Sequence, residues 1–553
     1  MNFLNRHLSC VNWPRLSFKL ARQEALAALS IALVMVPQAV AYAGLAGMPL
    51  VTGLYACLIP ALLAVMFGSA NRISVGPAAL TCVLISASLN GLAEPGSAQW
   101  VELAVWLALL AGLIQFGLGA LSYGWLLNLI SSPVLMGFTQ AAALLIMASQ
   151  LPALLGSSAK DWQIDALSAL FFGWPGAFGL TSLGLLLLAR KFKPRWPAIM
   201  GVVALSAVLA WALDYAEHGA VIGVLPTGLP QLYLPTWPGW VLLQQLALPA
   251  LVIALVSFME AAASARIECQ LDGKRWDENK ELIGQGLAKL ASGLSGSFAT
   301  GTSFSRSALV LYVGARSGWA IVFCSFYVLL ALLLFMPLLR HVPMSVLAAA
   351  VIVAVLNLFQ PYQFIRLWRI SPPEAITAGL TFVITIWTAP AIYGGVVAGV
   401  LITLVHFLYT RLHPRIIEIG LHPDGSLRDR HLLQLPPLAP KLFALRMDAE
   451  LDFAAASTLE RYIVEYLNQH RQVNHVCLFA FPINRVDITG AETFQKLESM
   501  LQQRQVTLHI SGLKLPAETL LRRAGCLQTR EGLRLYRSDR EAIEALQQLP
   551  SDD

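Results

Sequence analysis

One arginine in the polar run Gly301–Ser307 is the residue whose position most strongly indicates chemistry. The run reads Gly-Thr-Ser-Phe-Ser-Arg-Ser and interrupts a strongly apolar part of the chain. An arginine at membrane depth is costly unless it faces protein or water, so Arg306 marks a functional site. Serines can cap and begin a helix, and free backbone N–H groups beside a fixed cation would bind an anion. We predict that Ser303, Phe304, Ser305 and Arg306 bind an anion, and that Arg306→Ala weakens binding while leaving the fold intact.

A second segment of small residues, Gly76-Pro77-Ala78, opens a short apolar span much earlier in the chain. Proline is tolerated in the first turn of a helix, and glycine lets a ligand approach the backbone closely. An ordinary helix start capped by Ser74 is the alternative interpretation. Paired with the Arg306 segment, however, a second helix N-terminus at the membrane midplane would complete an anion site. We therefore predict that Gly76, Pro77 and Ala78 contact the substrate.

Glu260 is the acidic residue of an apolar span that is otherwise rich in alanine and serine. A buried carboxyl group there could exchange a proton during transport, or it could be a ligand for sodium. A structural ion pair, with Arg306 as the partner, is the alternative. We assign Glu260 and Ser264 as the candidate coupling-ion residues.

The first apolar span contains two further polar residues that could reach a central cavity. Gln38 and Tyr42 are four residues apart, so they share one face of a helix, and we predict that both contact the substrate. An interhelical hydrogen bond is the alternative for either residue. Pro37 is expected to interrupt this span. Lys289, in contrast, is expected to lie near the cytoplasmic surface and to extend its ammonium group to water.

Composition indicates which elements must position these residues. Of 553 residues 57% are apolar and 13% charged, which is typical of a polytopic membrane protein. Residues 413–553 carry half of the charged side chains, which indicates a soluble C-terminal domain. The net charge of +6 fits basic cytoplasmic loops better than a nucleic-acid partner. The seven cysteines form no CxxC pair, and neither a metal site, a cofactor motif nor an enzymatic triad is present in the sequence.

Fourteen apolar stretches are predicted as membrane segments. They are residues 25–43, 50–67, 76–91, 101–121, 126–149, 168–189, 198–214, 246–265, 284–297, 304–314, 319–338, 344–357, 374–388 and 393–410. Three of them (76–91, 284–297 and 304–314) are short, as in the broken helices of transporters. Basic loops at 190–195, 266–280 and 366–369 should face the cytoplasm, which places both termini there. The stretches divide into halves of seven, about 25–214 and 246–410, in inverted orientation.

We divide the chain into an N-terminal cytoplasmic segment (1–22), a membrane domain (23–412), a linker (413–440) and a C-terminal domain (441–553). In the last of these, strand patterns at 442–447, 475–479 and 506–510 alternate with helical patterns at 454–470, 490–503 and 516–524. This alternation predicts a small α/β domain. Its loop with Asp487 and Thr489 is a candidate regulatory site, although either side chain could simply cap the next helix.

Several segments together resemble the sulfate permease (SulP) family of anion transporters, whose animal relatives include pendrin and prestin. The matching segments are Val36–Ala43, Gly53–Tyr55, Ser74–Pro77, Gly284–Ala288 and Thr302–Ser307, and Asp487–Gly490 resembles a loop of the STAS domain that follows the membrane domain in this family.

The resemblance implies fourteen segments in two inverted repeats of seven, divided into core and gate domains. It also implies a homodimer and elevator-like alternating access. The anion would lie between the third and tenth spans, at Gly76 and Ser305, and Glu260 would be the acidic residue of the eighth. Two residues depart from the family pattern: Ala78 occupies a site where some members have an aromatic residue, and Lys289 replaces a common asparagine.

We therefore expect a secondary active transporter of a small anion in a bacterial inner membrane, with proton-coupled uptake of sulfate as the preferred activity. The expected partners are sulfate or bicarbonate, a proton or sodium ion, membrane lipid and a second copy of the chain. Sodium-coupled bicarbonate transport, proton-coupled dicarboxylate transport, and an uncoupled channel or exchanger remain open alternatives. No cofactor is expected.

Overall fold

The computed structural model describes residues 8–156, 173–192, 198–223, 228–356, 358–389, 392–527 and 532–549. The chain forms two compact units, Met1–Thr403 and Leu404–Asp553. Parts of two predicted features, the apolar stretch 168–189 and the basic loop 190–195, lie outside the described residues.

The first half of the larger unit is built from helices and one two-residue strand. They are α1 (Phe18–Leu45), α2 (Thr52–Tyr55), α3 (Ile59–Phe67), β1 (Val75–Gly76), α4 (Ala79–Leu89), α5 (Ala98–Ala120), α6 (Ser132–Leu155), α7 (Trp174–Phe192) and α8 (Ala198–Ala212).

The second half repeats the opening order of a long helix, further helical structure, a two-residue strand and a short helix. Its elements are α9 (Trp240–Leu271), α10 (Glu278–Leu294), β2 (Gly301–Thr302), α11 (Phe304–Tyr312), α12 (Trp319–Leu330), α13 (Met336–Leu339), α14 (Met344–Val355), α15 (Tyr362–Ile370), α16 (Pro372–Trp387) and α17 (Tyr393–Leu412), the last of which continues into the smaller unit.

Five of the described helices, namely α1, α5, α6, α9 and α17, are long and apolar enough to cross a membrane. The expected interruption at Pro37 is wrong, because α1 continues through it from Phe18 to Leu45. Proline removes one helix hydrogen bond, but Pro37 and its neighbours Val36 and Gln38 are buried within the unbroken helix. The predicted short span 284–297 is also corrected: α10 begins at Glu278, where Asp277 caps it, and it has 17 residues.

The loop that leads into β1 is fixed by two carboxylates from the second half. Glu281 accepts hydrogen bonds from the backbone N–H groups of Ser69 and Ala70, at 2.9 and 3.0 Å. Glu268 accepts from those of Asn71 and Arg72, both at 3.0 Å. Buried backbone donors need such partners, so the chain enters β1 from a fixed position.

The smaller unit is a six-stranded sheet with helices packed against it. The strands are β3 (Ile416–Leu421), β4 (Leu427–Asp429), β5 (Leu442–Met447), β6 (His475–Phe479), β7 (Thr507–Ser511) and β8 (Leu533–Tyr536), and the helices are α18 (Ala456–Gln469), α19 (Ile488–Gln503), α20 (Leu515–Arg523) and α21 (Asp539–Gln547).

The strand order is β4-β3-β5-β6-β7-β8, and β5 to β8 are parallel. The predicted alternation of strands and helices in this part of the chain is confirmed. Strands β3 and β4 come from residues 413–440, the segment interpreted as a linker. They pair antiparallel with each other, and β3 also pairs antiparallel with β5. Ile417 and Ile419 of β3 are buried, which explains why this segment joins the sheet.

Candidate functional site

Two short strands place the starts of two short helices side by side. β1 and β2 pair antiparallel, with Val75 opposite Thr302 and Gly76 opposite Gly301. One further backbone bond, from the Ser303 N–H to the Ser74 carbonyl at 3.1 Å, extends the pairing. Each strand leads within two residues into a helix, so the N-termini of α4 and α11 open at the same place.

The N-terminus of α4 has free backbone donors. Its N-cap residue is Ala78, whose side chain cannot accept a hydrogen bond, and α4 begins at Ala79. The predicted helix start at Gly76 and Pro77 is therefore corrected, because Gly76 pairs within β1 and Pro77 precedes the cap. The interpretation of Ser74 as a cap is likewise wrong, since its hydroxyl accepts from Arg306. An uncapped helix start of this kind suits an anion.

The N-terminus of α11 presents hydroxyl groups. Ser303 is the N-cap, and its side chain accepts from the Arg306 N–H, so the predicted serine cap is confirmed. The hydroxyl oxygens of Ser303 and Ser305 lie 3.3 Å apart. Together with the N–H groups of α4, they supply neutral donors without any dedicated side-chain cage.

Arg306 lies behind these two helix starts. Its side chain is 1% exposed, and its guanidinium donates to Ser74 Oγ at 3.2 Å, to Gln38 Oε1 at 3.4 Å and to the Pro77 carbonyl at 2.7 Å. The arginine thus ties α11 to α1 and to the segment that leads into α4. It also fixes a positive charge beside both N-termini, although its side chain does not line the cavity described next.

A cavity of about 450 Å³ opens in front of the two helix starts. One side of its wall comes from α1, α4, α9 and α11, and the other from α6 and the region from α14 to α15. Its lining residues are Tyr42, Ala78, Ala79, Leu80, Ser132, Leu135, Met136, Thr139, Gln140, Met259, Glu260, Ala263, Ser303, Phe304, Ser305, Ala354, Leu358, Gln360 and Gln363.

Six of the predicted site residues lie on this wall, namely Tyr42, Ala78, Glu260, Ser303, Phe304 and Ser305. Four others, Gln38, Gly76, Pro77 and Arg306, lie behind this wall. Arg306 donates to Gln38 and to the Pro77 carbonyl, and Gly76 belongs to β1. Sequence reasoning missed the polar residues of the opposite wall, such as Thr139, Gln140, Gln360 and Gln363. They are scattered among apolar residues, and only the fold brings them together.

Glu260 has one carboxylate oxygen without a partner. Its Oε2 atom is buried and accepts no hydrogen bond from any described residue. The alternative of an ion pair with Arg306 is not supported, because the arginine directs its hydrogen bonds to three other groups. The Ser264 hydroxyl donates to the Glu260 backbone carbonyl at 3.1 Å, so it is used within α9. The carboxyl group is therefore free to bind a cation.

Lys289 is buried and does not reach water, contrary to expectation. It is fully buried in α10, and its Nζ donates to Gln115 Oε1 at 2.9 Å. The neighbouring sequence contained a usable signal, since Gly284, Gly286 and Ala288 permit close helix packing. A Cβ atom at Gly286 would lie 2.5 Å from the Phe116 nitrogen, which shows how tightly α10 packs against α5.

In the smaller unit, Asp487 acts as a helix cap. Its Oδ1 accepts from the Gly490 N–H at 2.7 Å, and its Oδ2 accepts from the Phe453 N–H at 3.0 Å. Thr489, in the first turn of α19, is exposed. The cap interpretation therefore accounts for Asp487, and a regulatory role for Thr489 stays a prediction.

Comparisons with known proteins extend over both units. The sulfate permease family profile matches residues 22–381, and the STAS domain profile matches residues 437–542. Probable sulfate transporter Rv1739c of Mycobacterium tuberculosis is 30% identical, over 92% of this chain and 92% of its own length. The chloroplastic sulfate transporter 4.1 of Arabidopsis thaliana is 28% identical, over 96% of this chain and 81% of its own length.

Two solved structures share the fold. The murine Slc26a9 anion transporter in its inward-facing state matches with a TM-score of 0.87 at 20% identity, over 99% of this chain and 94% of that chain. The transmembrane domain of the cyanobacterial bicarbonate transporter BicA matches with a TM-score of 0.59 at 21% identity, over 69% of this chain and 98% of that chain. The fold is thus that of a multi-pass membrane transporter with a C-terminal STAS domain. This chain belongs to the sulfate permease family of anion transporters.

Proposed function

We propose that this protein takes up sulfate with protons across a bacterial inner membrane by elevator-like alternating access. One observation carries the proposal: the two helix N-termini and the Glu260 carboxyl group share the wall of one cavity. The names of the relatives, which are sulfate transporters, support the choice of sulfate.

The anion would bind between the starts of α4 and α11. Free N–H groups of α4 and the hydroxyls of Ser303 and Ser305 would donate to its oxygens, as helix N-termini do for sulfate and phosphate. Arg306 adds a full positive charge behind them without contacting the anion. Tyr42 and Phe304, also on the wall, would set the width of the site.

Glu260 would couple this binding to a proton. A single carboxyl group with one unpaired oxygen is sufficient to hold a proton. Sodium would need several further oxygens, and Ser264, the candidate second ligand, is not among the residues that line the cavity. These observations favour the proton over sodium.

Alternating access requires the two sides of the cavity to move relative to each other. We propose that α1, α4, α9 and α11 belong to the moving core, and that α6 and α14 belong to the static gate domain. Gln360 and Gln363 line the cavity next to Arg366 and Arg369 of α15, which the basic-loop rule places at the cytoplasmic side. On this reasoning the cavity faces inward and both termini are cytoplasmic. From the family resemblance we also propose fourteen membrane-crossing segments and a homodimer. The proposed membrane domain is residues 23–412, and the proposed C-terminal domain is residues 441–553, whose sheet is extended by β3 and β4 from residues 413–440.

Labelled sulfate uptake into proteoliposomes tests this function. Wild-type protein should accumulate sulfate under an inward proton gradient, and Glu260→Gln should abolish accumulation while retaining sulfate exchange across the membrane. Ser264→Ala is the matched control, since its hydroxyl is used within α9 and its loss should change uptake little.

Other outcomes identify the alternatives. Accumulation driven by sodium and lost in Ser264→Ala would indicate sodium coupling. Preferential competition by bicarbonate or a dicarboxylate would replace sulfate as the substrate. Channel-scale currents that persist in Glu260→Gln would indicate an uncoupled pore, and a folded protein without gradient-dependent anion uptake would refute the proposal.

A further inference from the structure

Lys289 is held in one position by a polar chain across three helices. Its ammonium donates to Gln115 Oε1 of α5 at 2.9 Å. The Gln115 amide nitrogen donates in turn to the Ala254 carbonyl at 2.6 Å and to Ser257 Oγ at 3.2 Å, both on α9. Because the donors of Gln115 are engaged on α9, its carbonyl oxygen remains for Lys289. The orientation of both side chains is therefore determined.

The surrounding packing keeps the ammonium from reaching water. A Cβ atom at Gly112 would lie 2.9 Å from the Gly286 carbonyl oxygen, and one at Gly286 would lie 2.5 Å from the Phe116 nitrogen. The backbones of α5 and α10 thus touch near Lys289. A lysine usually extends its charge to the nearest interface, but a fully buried one between touching helices cannot.

The same chain brings Lys289 close to the cavity wall. Ser257 and Glu260 are three residues apart on α9 and therefore share a face. Lys289 and Glu260 lie close enough for their charges to interact. The other charged or titratable groups that face Glu260 are Arg306, Tyr42 and Cys82. Two basic side chains, Lys289 and Arg306, therefore lie near one acid.

We propose that Lys289 determines specificity by favouring dianions over monoanions in this cavity. The inference rests on the proposed anion transport and refines its substrate class. When Glu260 carries a proton and Lys289 is in its ammonium form, the charges of Lys289 and Arg306 match a charge of −2, as on sulfate. Without Lys289 the charge of Arg306 alone would match a monoanion.

The expected size of the effect follows from Coulomb's law. One charge acting over roughly 10 Å at an effective dielectric constant of about 20 changes affinity on the order of tenfold for each unit of ligand charge. Removing the charge of Lys289 should thus weaken the binding of a dianion about a hundredfold and that of a monoanion about tenfold. The ratio of the two affinities should fall by about a factor of ten.

Sulfate and perchlorate form a suitable pair of probes, since both are tetrahedral oxyanions and they differ in charge. Calorimetry on purified full-length protein would give the dissociation constant of sulfate, and displacement would give that of perchlorate. Lys289→Gln keeps a donor for Gln115 but removes the charge, whereas Lys289→Arg keeps the charge. Gln115→Glu places a carboxylate against the ammonium and should lower the ratio as Lys289→Gln does, so it serves if Lys289→Gln does not fold.

The outcomes separate this inference from the proposed function. The inference is supported if the ratio of sulfate to perchlorate affinity falls in Lys289→Gln or Gln115→Glu and stays near the wild-type value in Lys289→Arg. Parallel weakening of both anions, with the ratio unchanged, would show a merely structural role and overturn it. If wild-type protein binds no sulfate, the proposed function fails first, and sulfate binding with an unchanged ratio in the variants refutes the role of Lys289 alone.

Discussion

Adding one methyl group at Gly301 should separate the two helix starts that form the site. Gly301 pairs with Gly76 in the two-stranded sheet, and a Cβ atom there would lie 2.6 Å from Thr81 Oγ1 and 3.0 Å from Ala78 Cβ. Thr81 is fully buried in the first turn of α4. Rotating its side chain can place a methyl group or a hydrogen there instead, but the contact with Ala78 Cβ remains in every rotamer, so we expect α4 itself to move.

The magnitude follows from the overlap. Forcing an extra methyl group into a packed interior costs about 1–3 kcal/mol. Binding groups generally must hold their positions within about 0.5 Å, so a displaced α4 should also lose contact with the anion. We expect Gly301→Ala to melt at a lower temperature and to bind sulfate at least about tenfold more weakly, which corresponds to about 1.4 kcal/mol.

Thr81 supplies a compensating change. Its hydroxyl is buried and has no hydrogen-bond partner among the described residues, so Thr81→Ala alone should cost little. The double variant Gly301→Ala/Thr81→Ala removes the closest contact and should recover most of the stability and affinity. Gly117→Ala is the matched control, because a Cβ atom there would meet nothing within 4 Å.

Thermal unfolding of the purified protein and sulfate binding by calorimetry would measure these effects. Wild-type affinity in Gly301→Ala, or a double variant as weak as the single one, would refute the reasoning that β2 and α4 hold each other in position.

Two further predictions concern Arg306 and the STAS domain. Arg306→Ala should lower the melting temperature as well as sulfate affinity, because three buried partners would lose a donor at about 1–3 kcal/mol each. An unchanged melting temperature would show that these hydrogen bonds do not stabilise the fold. Burial, together with the charges of His475 and Arg534, lowers the pKa of His509 from 6.5 to about 4. The folded STAS domain therefore favours neutral His509, and its stability should be full above pH 6.5 and fall as the pH drops toward 4, by up to about 3 kcal/mol. Hydrogen exchange of β6 and β7 in the full chain should report this loss, and His509→Gln should remove most of it.

The local sequence pattern determined several features of this protein. Apolar stretches of suitable length gave the spans, and alternating strand and helix patterns gave the C-terminal α/β domain, because both signals depend on neighbouring residues. The serine before Phe304 predicted the start of α11, since capping is a contact over three residues. The same local reasoning marked Glu260 as a candidate coupling residue, and the structure places it on the cavity wall.

Contacts between distant parts of the chain decided the rest. Strands of two residues carry no periodicity, so only the tertiary structure pairs Val75 with Thr302. The partners of Arg306 come from α1 and the entry to α4, and they turn an expected anion ligand into a charge behind the site. Lys289 looked like a surface lysine in the sequence. Backbone contact between α5 and α10 buries it. The sequence could not predict this, because a glycine shows that another helix can approach closely but not which helix does so.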